Sequence, residues 1–247
     1  MRFLISITYD GTNFKGFQKQ VKLRTIQGEI EKVLKRINNN QEVDLIASGR
    51  TDALVHAKEQ KAHFDLTIKI KTYKLKQALN SYLPKDIYVN KVCEVSNNFH
   101  ARYNVKEKTY EYVINMGEYN PLERNYIYQY NKLLNIKKIK KALKYLIGEH
   151  DFKAFVSADE KRNNYVRIIN KVKIKKCKNK LMITFTGNGF LKHMIRNIIG
   201  VIILISEGKK ETSYMNEILN NQNKNHFNIT APAGGLYLKK VRYKEEK

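Results

Sequence analysis

Two hydrophobic periods alternate along this chain, and they do so in the same order twice. A period of two runs through Phe3, Ile5, Ile7 and Tyr9, with Ser6, Thr8 and Asp10 on the other side, as in a strand buried on one face. A helical stripe follows in Ile26, Ile30, Val33, Leu34 and Ile37, behind a candidate N-cap at Thr25. Short strands are predicted at about 43–47 and 59–65. A second helix, on Leu75, Ala78, Leu79 and Tyr82, stops before Pro84, and a strand over 87–95 closes the round. The second round opens with Tyr110, Tyr112, Ile114 and Met116 in strand phase. A helix on Ile136, Ile139, Leu143, Leu146 and Ile147 then runs to Gly148. Strands are predicted near 166–175 and 181–186, a helix from near Gly189 to before Gly208, and a last strand holding Leu236, Leu238 and Val241. Each round reads βαββαβ, although the residues themselves do not repeat. This order predicts an α+β fold of two ferredoxin-like halves, 1–103 and 104–247, about a pseudo-twofold axis, with a cleft between them. The junction is expected within 99–104. The insert over 117–131 has no place in the scheme.

Charge narrows the choice of partner. Against 47 Lys and Arg stand 23 Asp and Glu, a net charge of +24. A surface this positive draws polyanions from a distance, and nucleic acid is the commonest of them. The abundance of Lys and Asn accounts for part of the excess as a general compositional bias, but an enzyme of neutral substrates has no use for +24. Cys93 and Cys177 lie far apart in predicted strands, form no metal or redox motif, and suit a reducing, cytoplasmic setting. The apolar stretch at the N-terminus is too short for a signal peptide. The longest apolar run, 198–205, contains Gly200 and is too short to cross a bilayer.

Several chemistries are excluded by their missing signatures. The chain has no P-loop and no nucleophile elbow, and its six histidines are dispersed. A zinc deaminase needs His-x-Glu and a later Pro-Cys-x-x-Cys; here His56 and Glu59 are three apart and the cysteines are solitary. What remains is Gly49-Arg50-Thr51-Asp52, in a connection between two predicted strands. A guanidinium two residues from a carboxylate favours the ionised form. An ionised aspartate beside a cleft serves as nucleophile or base. Arg50 is suited to a backbone phosphate, being planar and permanently charged. On spacing alone, an Arg-x-Asp that merely braces a turn is the better reading, since ion pairs also occur without catalysis.

The surrounding words shift that balance. SGRTDALVHA resembles the signature loop of the TruA family of tRNA pseudouridine synthases. Other segments match the same family in order: YDGTNFKGFQKQ, LPKDIYV, FHARYNVKEKTYEYVI, GEHDF, GNGFLKHMIRNIIG and APAGGLYL. The resemblance spans essentially the whole chain. It implies that Asp52 is the catalytic aspartate, attacking the target uridine at its ring or its ribose, with a glycal route as a further possibility. The glycosidic bond breaks, the uracil turns, and a carbon–carbon bond forms from C1′ to C5, with no cofactor and no metal. Arg50 then matches an arginine that pairs with the aspartate and holds the flipped nucleotide. Tyr110 matches a tyrosine stacked on the target base, and Arg196 a second active-site arginine paired with the aspartate. The resemblance further implies uridines 38, 39 and 40 of the anticodon arm as targets, and a homodimer with one tRNA across both subunits.

Each role has a plainer rival. Tyr110 is in phase with Tyr112 and Ile114, which by pattern makes it a core aromatic. Arg196 interrupts an apolar helix face and so needs an acidic partner, for which Asp52 would serve. His56 and His193 read best as hydrogen-bonded structural histidines. Phe14 and Phe17 either stack on nucleotides or pack their loop. Lys15, Lys19, Lys22 and Arg24 are the best candidates for phosphate contacts, ahead of Lys137, Lys138, Lys140, Lys141 and Lys144 on the polar face of one helix. Two departures from the family stand out: Phe17 where Trp is usual, and Leu54 where Gly is usual. An ordinary negative φ is expected at Leu54, which would leave the leucine unstrained. The rival functions are a basic RNA-binding module without turnover and a related synthase acting on another RNA. The set Arg50, Asp52, Tyr110 and Arg196 argues against pure binding.

Overall fold

The computed structural model describes residues 1–157, 160–221 and 229–244. In chain order the elements are β1 (Arg2–Tyr9), α1 (Ile26–Ile37), β2 (Ile46–Ala47), β3 (His56–Asp65), α2 (Thr72–Tyr82), β4 (Ile87–Val95), β5 (Val105–Asn115), β6 (Tyr128–Gln129), α3 (Ile136–Lys144), β7 (Gly148–Asp151), β8 (Val166–Cys177), β9 (Lys180–Gly187), α4 (Met194–Ser206), α5 (Tyr214–Asn220) and β10 (Leu236–Tyr243). The fold is mixed α+β. By packing, the chain falls into two compact units, one of Met1–Lys106 together with the chain from Tyr237 onward, the other of Glu107–Leu236.

In the first unit β1 lies between β4 and β3, antiparallel to both. The far edge of β3 takes two short partners. β2 runs antiparallel through Ile46–His63 and Ala47–Ala62, and β10 runs parallel through Tyr237–His56 and Leu238–Ala57. The alternation in β1 does what its period requires: Phe3, Ile5, Ile7 and Tyr9 are at most 2% exposed. Helix α1 starts where Thr25 Oγ1 accepts the Gly28 N–H at 3.2 Å. It ends in the run Asn38-Asn39-Asn40, whose last two residues take positive φ, as asparagine does more readily than most. Helix α2 buries Leu75 and Leu79 and stops at Leu83, extended before Pro84. The strand predicted over 43–47 is shorter than expected, and only Ile46–Ala47 pairs. The reason is that the Leu45 N–H goes to the buried carboxylate of Glu31 on α1 at 3.1 Å rather than to a strand.

The second unit orders its strands β5-β9-β8-β7, with β6 on β5. Helix α4 is apolar nearly all round and, as that pattern requires of a core helix, buried nearly all round. It begins at Met194 rather than near Gly189, because His193 holds a left-handed φ of +61°. No hydrophobic period marks β6, β7 or α5 in the chain. The 117–131 insert supplies β6, which runs parallel to β5 through Ile114–Tyr128. No helix among the described residues is long and apolar enough to cross a membrane.

The outer face of β3 carries a buried histidine. His63 is 1% exposed, its Nδ1 accepts the Ala101 N–H at 3.1 Å, and its ring meets Phe99 and His100 edge-on. Burial, then the nearby charges of Arg2 and His100, push its pKa down to about 4, while Asp65 pulls the other way. The unfolded chain therefore takes up this proton first on acidification. Stability conferred by neutral His63 is complete above pH ~6.5 and is lost as pH falls toward 4, by up to about 3 kcal/mol. Urea unfolding at pH 7.5 and pH 5 should show this loss, and His63→Asn should lose less over the same interval. Equal losses in both proteins would assign the effect to other groups.

Candidate functional site

The segment from Ser48 to His56 links β2 to β3 and is pinned on both flanks. The Ser48 N–H donates to Lys61 O at 2.7 Å, and the Ser48 hydroxyl to Gln60 Oε1 at 2.7 Å. Gln60, fully buried, returns an Nε2–H to Gly49 O at 2.9 Å. Thr51 is buried; its Oγ1 lies 2.8 Å from the Tyr9 hydroxyl, and its carbonyl accepts the Phe17 N–H at 3.0 Å. Burial raises the Tyr9 pKa, so the phenol stays protonated and able to bond Thr51. On the other flank Val55 is buried, and His56 Nδ1 accepts the Gly11 N–H at 3.0 Å while its ring stacks on Tyr237 at 4.9 Å. Between these anchors Asp52 is half-buried, and Arg50, Ala53 and Leu54 are exposed. Arg50 donates to Gln18 Oε1. His56 is thus the hydrogen-bonded structural histidine expected.

The expectation of a negative φ at Leu54 is wrong: the angle is +65°. The Val55 N–H reaches Asp52 O at 3.2 Å and closes a turn over 52–55 in which Leu54 is third. A turn with negative φ at its second residue and positive φ at its third has the pattern of type II, where Gly or Asn is usual. Leucine there is 47% exposed, so burial offsets little of the strain.

The neighbouring loop over 10–25 supports the same segment. Two of its glycines are required by close approach. A Cβ at Gly11 would sit 2.2 Å from Val55 O, and one at Gly16, at φ +97°, 3.1 Å from Thr51 O. Phe14 and Phe17 are each 1% exposed, which settles them as packing residues. The arginine and lysines of this loop divide in two. Arg24 lies over Phe14 at 4.1 Å and grips both oxygens of Asp86 at 2.8 and 2.9 Å, and Lys19 pairs with the buried Glu31 at 2.9 Å. Those two hold the fold, while Lys15 and Lys22 lie exposed.

Tyr110 and Arg196 stand in the second unit. Tyr110 pairs in register with Phe185 on β9, is 8% exposed, and meets Phe190 edge-on at 5.2 Å. Arg196, in the first turn of α4, is half-buried. It clasps Ala231 twice: Arg196 Nε donates to Ala231 O at 2.8 Å, and the Ala231 N–H returns to Arg196 O at 3.1 Å. The same segment is strapped to α4 by Thr230, whose hydroxyl donates to Asn197 Oδ1 at 2.7 Å, and by Ile229, whose carbonyl leaves no room for a Cβ at Gly200. Tyr112 donates its buried hydroxyl to Pro232 O at 2.7 Å. Arg50 and Asp52 therefore share one loop, and Tyr110 and Arg196 each have a defined place on β5 and α4. Sequence reasoning missed the positioning residues Tyr9, Gln60 and Tyr237. A glutamine at an inward position of β3 was the available signal for Gln60.

The family model described as tRNA pseudouridine synthase matches residues 5–104 and 142–244. The tRNA pseudouridine synthase A of Streptococcus agalactiae serotype Ia is 42% identical over 248 residues, covering 99% of this chain and 96% of its own. That of Anoxybacillus flavithermus is 40% identical, covering 98% of each. The tRNA pseudouridine synthase A 1 of Bacillus cereus is 40% identical over 243 residues, again with 98% coverage of each. With the loop geometry and these matches over nearly its full length, the chain belongs to the tRNA pseudouridine synthase family, a family of isomerases.

Proposed function

We propose that this protein converts uridine to pseudouridine in the anticodon arm of tRNA, at positions 38, 39 and 40, with Asp52 as the nucleophile. The observation that carries the reading is how Asp52 is held. Thr51 on one side and Val55 on the other are 7% and 2% exposed, while Asp52 itself is half-buried and reachable. A carboxylate fixed in this way loses little orientational freedom when a substrate arrives. Its attack, at the ring or at C1′, accompanies cleavage of the N1–C1′ bond. The uracil turns, C5 bonds to C1′, the bond to Asp52 breaks and restores its carboxylate, the C5 proton leaves, and N1 ends protonated. Exposed Arg50 meets the nucleotide or its phosphate, Tyr110 offers its ring to the target base, and Arg196 completes the set from the first turn of α4. Lys15, Lys22 and the lysines of α3, of which Lys137, Lys140, Lys141 and Lys144 are exposed, supply phosphate contacts. Action in the cytoplasm as a homodimer rests on the family resemblance.

Isomerisation leaves the mass of uridine unchanged but expels the hydrogen on C5, so a C5 label in the substrate reports turnover directly. Release is expected from tRNA with uridine at 38, 39 or 40 and not from tRNA lacking it there. Equal release from both would point to a related synthase of another site. No release from any tRNA would favour a binding module.

A further inference from the structure

Along one edge of the first unit's sheet, α2 and β4 border an open groove of about 500 Å³, lined by Tyr73, Lys76, Gln77, Asn80 and Tyr88. The four helix residues fall at i, i+3, i+4 and i+7 and so share one face, while Leu75 and Leu79 are buried on another. β4 is the outermost strand of its unit, so the groove lies along a sheet edge.

Three features give this groove a chemistry. Tyr73 and Tyr88 are 56% and 52% exposed, two broad aromatic faces left to water. Lys76 Nζ lies 5.9 Å from the Tyr88 ring centroid, which places a cation beside an aromatic platform. The chain over 66–85, which supplies the helix wall, carries Lys69, Lys71, Lys74, Lys76 and Lys85 and no acidic residue, and Asp86 beyond it is gripped by Arg24. The walls are also fixed with respect to each other. Asn80 donates to Val89 O at 3.0 Å and accepts the Val89 N–H at 2.8 Å, tying α2 to β4 with both ends of its amide.

We infer that the α2–β4 groove is a second RNA-binding site, in which unpaired bases stack on Tyr73 and Tyr88 while Lys76 and its neighbours meet the phosphates. Aromatic faces interleaved with lysine are how proteins hold single-stranded RNA without reading its sequence. A duplex, with its bases already stacked, has no use for the tyrosines. The inference takes from the proposed function only that the partner is RNA, and none of these residues belongs to the catalytic set.

The test uses the full-length protein and a fluorescent oligouridylate of eight nucleotides, with a duplex of equal length as control. Tyr73→Ala with Tyr88→Ala should weaken binding of the single strand by on the order of tenfold or more. The pair Tyr73→Phe and Tyr88→Phe should bind as the natural protein does, and duplex affinity should not change in either. Photocrosslinking of a 4-thiouridine-containing strand to the natural protein gives a readout that needs no variant, and crosslinks should map to the α2 and β4 peptides. Unchanged affinity in the alanine variant, equal loss in the phenylalanine variant, or crosslinks confined to other segments would each overturn the inference, the last leaving the groove to a partner other than RNA. C5 label release from an isolated anticodon stem-loop should be the same in all variants. Failure of the natural protein to release label would count against the proposed reaction and leave the crosslink result intact.

Discussion

Asp52→Asn should bring pseudouridine formation to background while leaving tRNA affinity within a few-fold of the natural protein. The substitution keeps the size and shape of the side chain and removes its negative charge, so the loop has no reason to rearrange. The substitution leaves untouched the bonds that hold its neighbours: Tyr9 on Thr51, Gln60 on Gly49, and Gly11 on His56. An amide is a poor nucleophile, and no other carboxylate lies within the run Ser48–His56. Affinity is dominated by phosphate contacts, which this change does not touch. The measurement is C5 label release with enzyme in excess over tRNA, beside a filter-binding curve. Turnover by the Asn protein near the natural rate would exclude Asp52 as nucleophile.

The second large effect is expected away from the Asp52 carboxylate. Gly11→Ala puts a methyl group 2.2 Å from Val55 O and 2.6 Å from Val55 C, both main-chain atoms that cannot swing aside. Relief requires the 52–55 turn to move away from the 10–25 loop. Overpacking of this kind costs about 3 kcal/mol, or a fall of roughly 6–12 °C in Tm for a chain of this size. Because the displaced turn begins at Asp52, turnover should fall further than stability alone explains, by on the order of a hundredfold. Leu54→Gly works on the same turn with the opposite sign. It relieves a left-handed leucine at a cost in unfolded-chain entropy, for a net gain of about 0.5–1 kcal/mol. Leu54→Ala, which keeps the strained angle, should gain nothing. A Gly11→Ala protein of natural stability and activity would show that this turn does not depend on the close approach.

What the residue pattern could reveal depended on how local its cause was. β1 and α1 were legible because their alternation, their apolar stripe and the Thr25 cap are properties of adjacent residues. The Asp52 loop was legible as a word, SGRTDALVHA, but not as a shape. Leu54 takes a positive φ because its turn closes against Gly11 and Val55, and Gly11 lies some forty residues earlier, where no local pattern reports it. The same holds for the basic loop. Arg24 and Lys19 look in sequence like free cations, and only the fold brings Asp86 and Glu31 to them. The strand over 43–47 was overread because a buried carboxylate on α1 competes for the Leu45 N–H, a contact that β-propensity cannot register.

The first unit is built from two stretches far apart in the chain: β1 and β3 lie in one and β10 in the other, with all of Glu107–Leu236 between them. A ribosome delivers these pieces in order. While the middle of the protein is being made, β3 has an open edge at His56, and the ring of Tyr237 that will stack there does not yet exist. The unit holding Asp52 is therefore the first to begin and the last to close. A nascent chain released early lacks the strand that completes the support of the Asp52 loop, so translation has to reach β10 before that loop is held on both flanks.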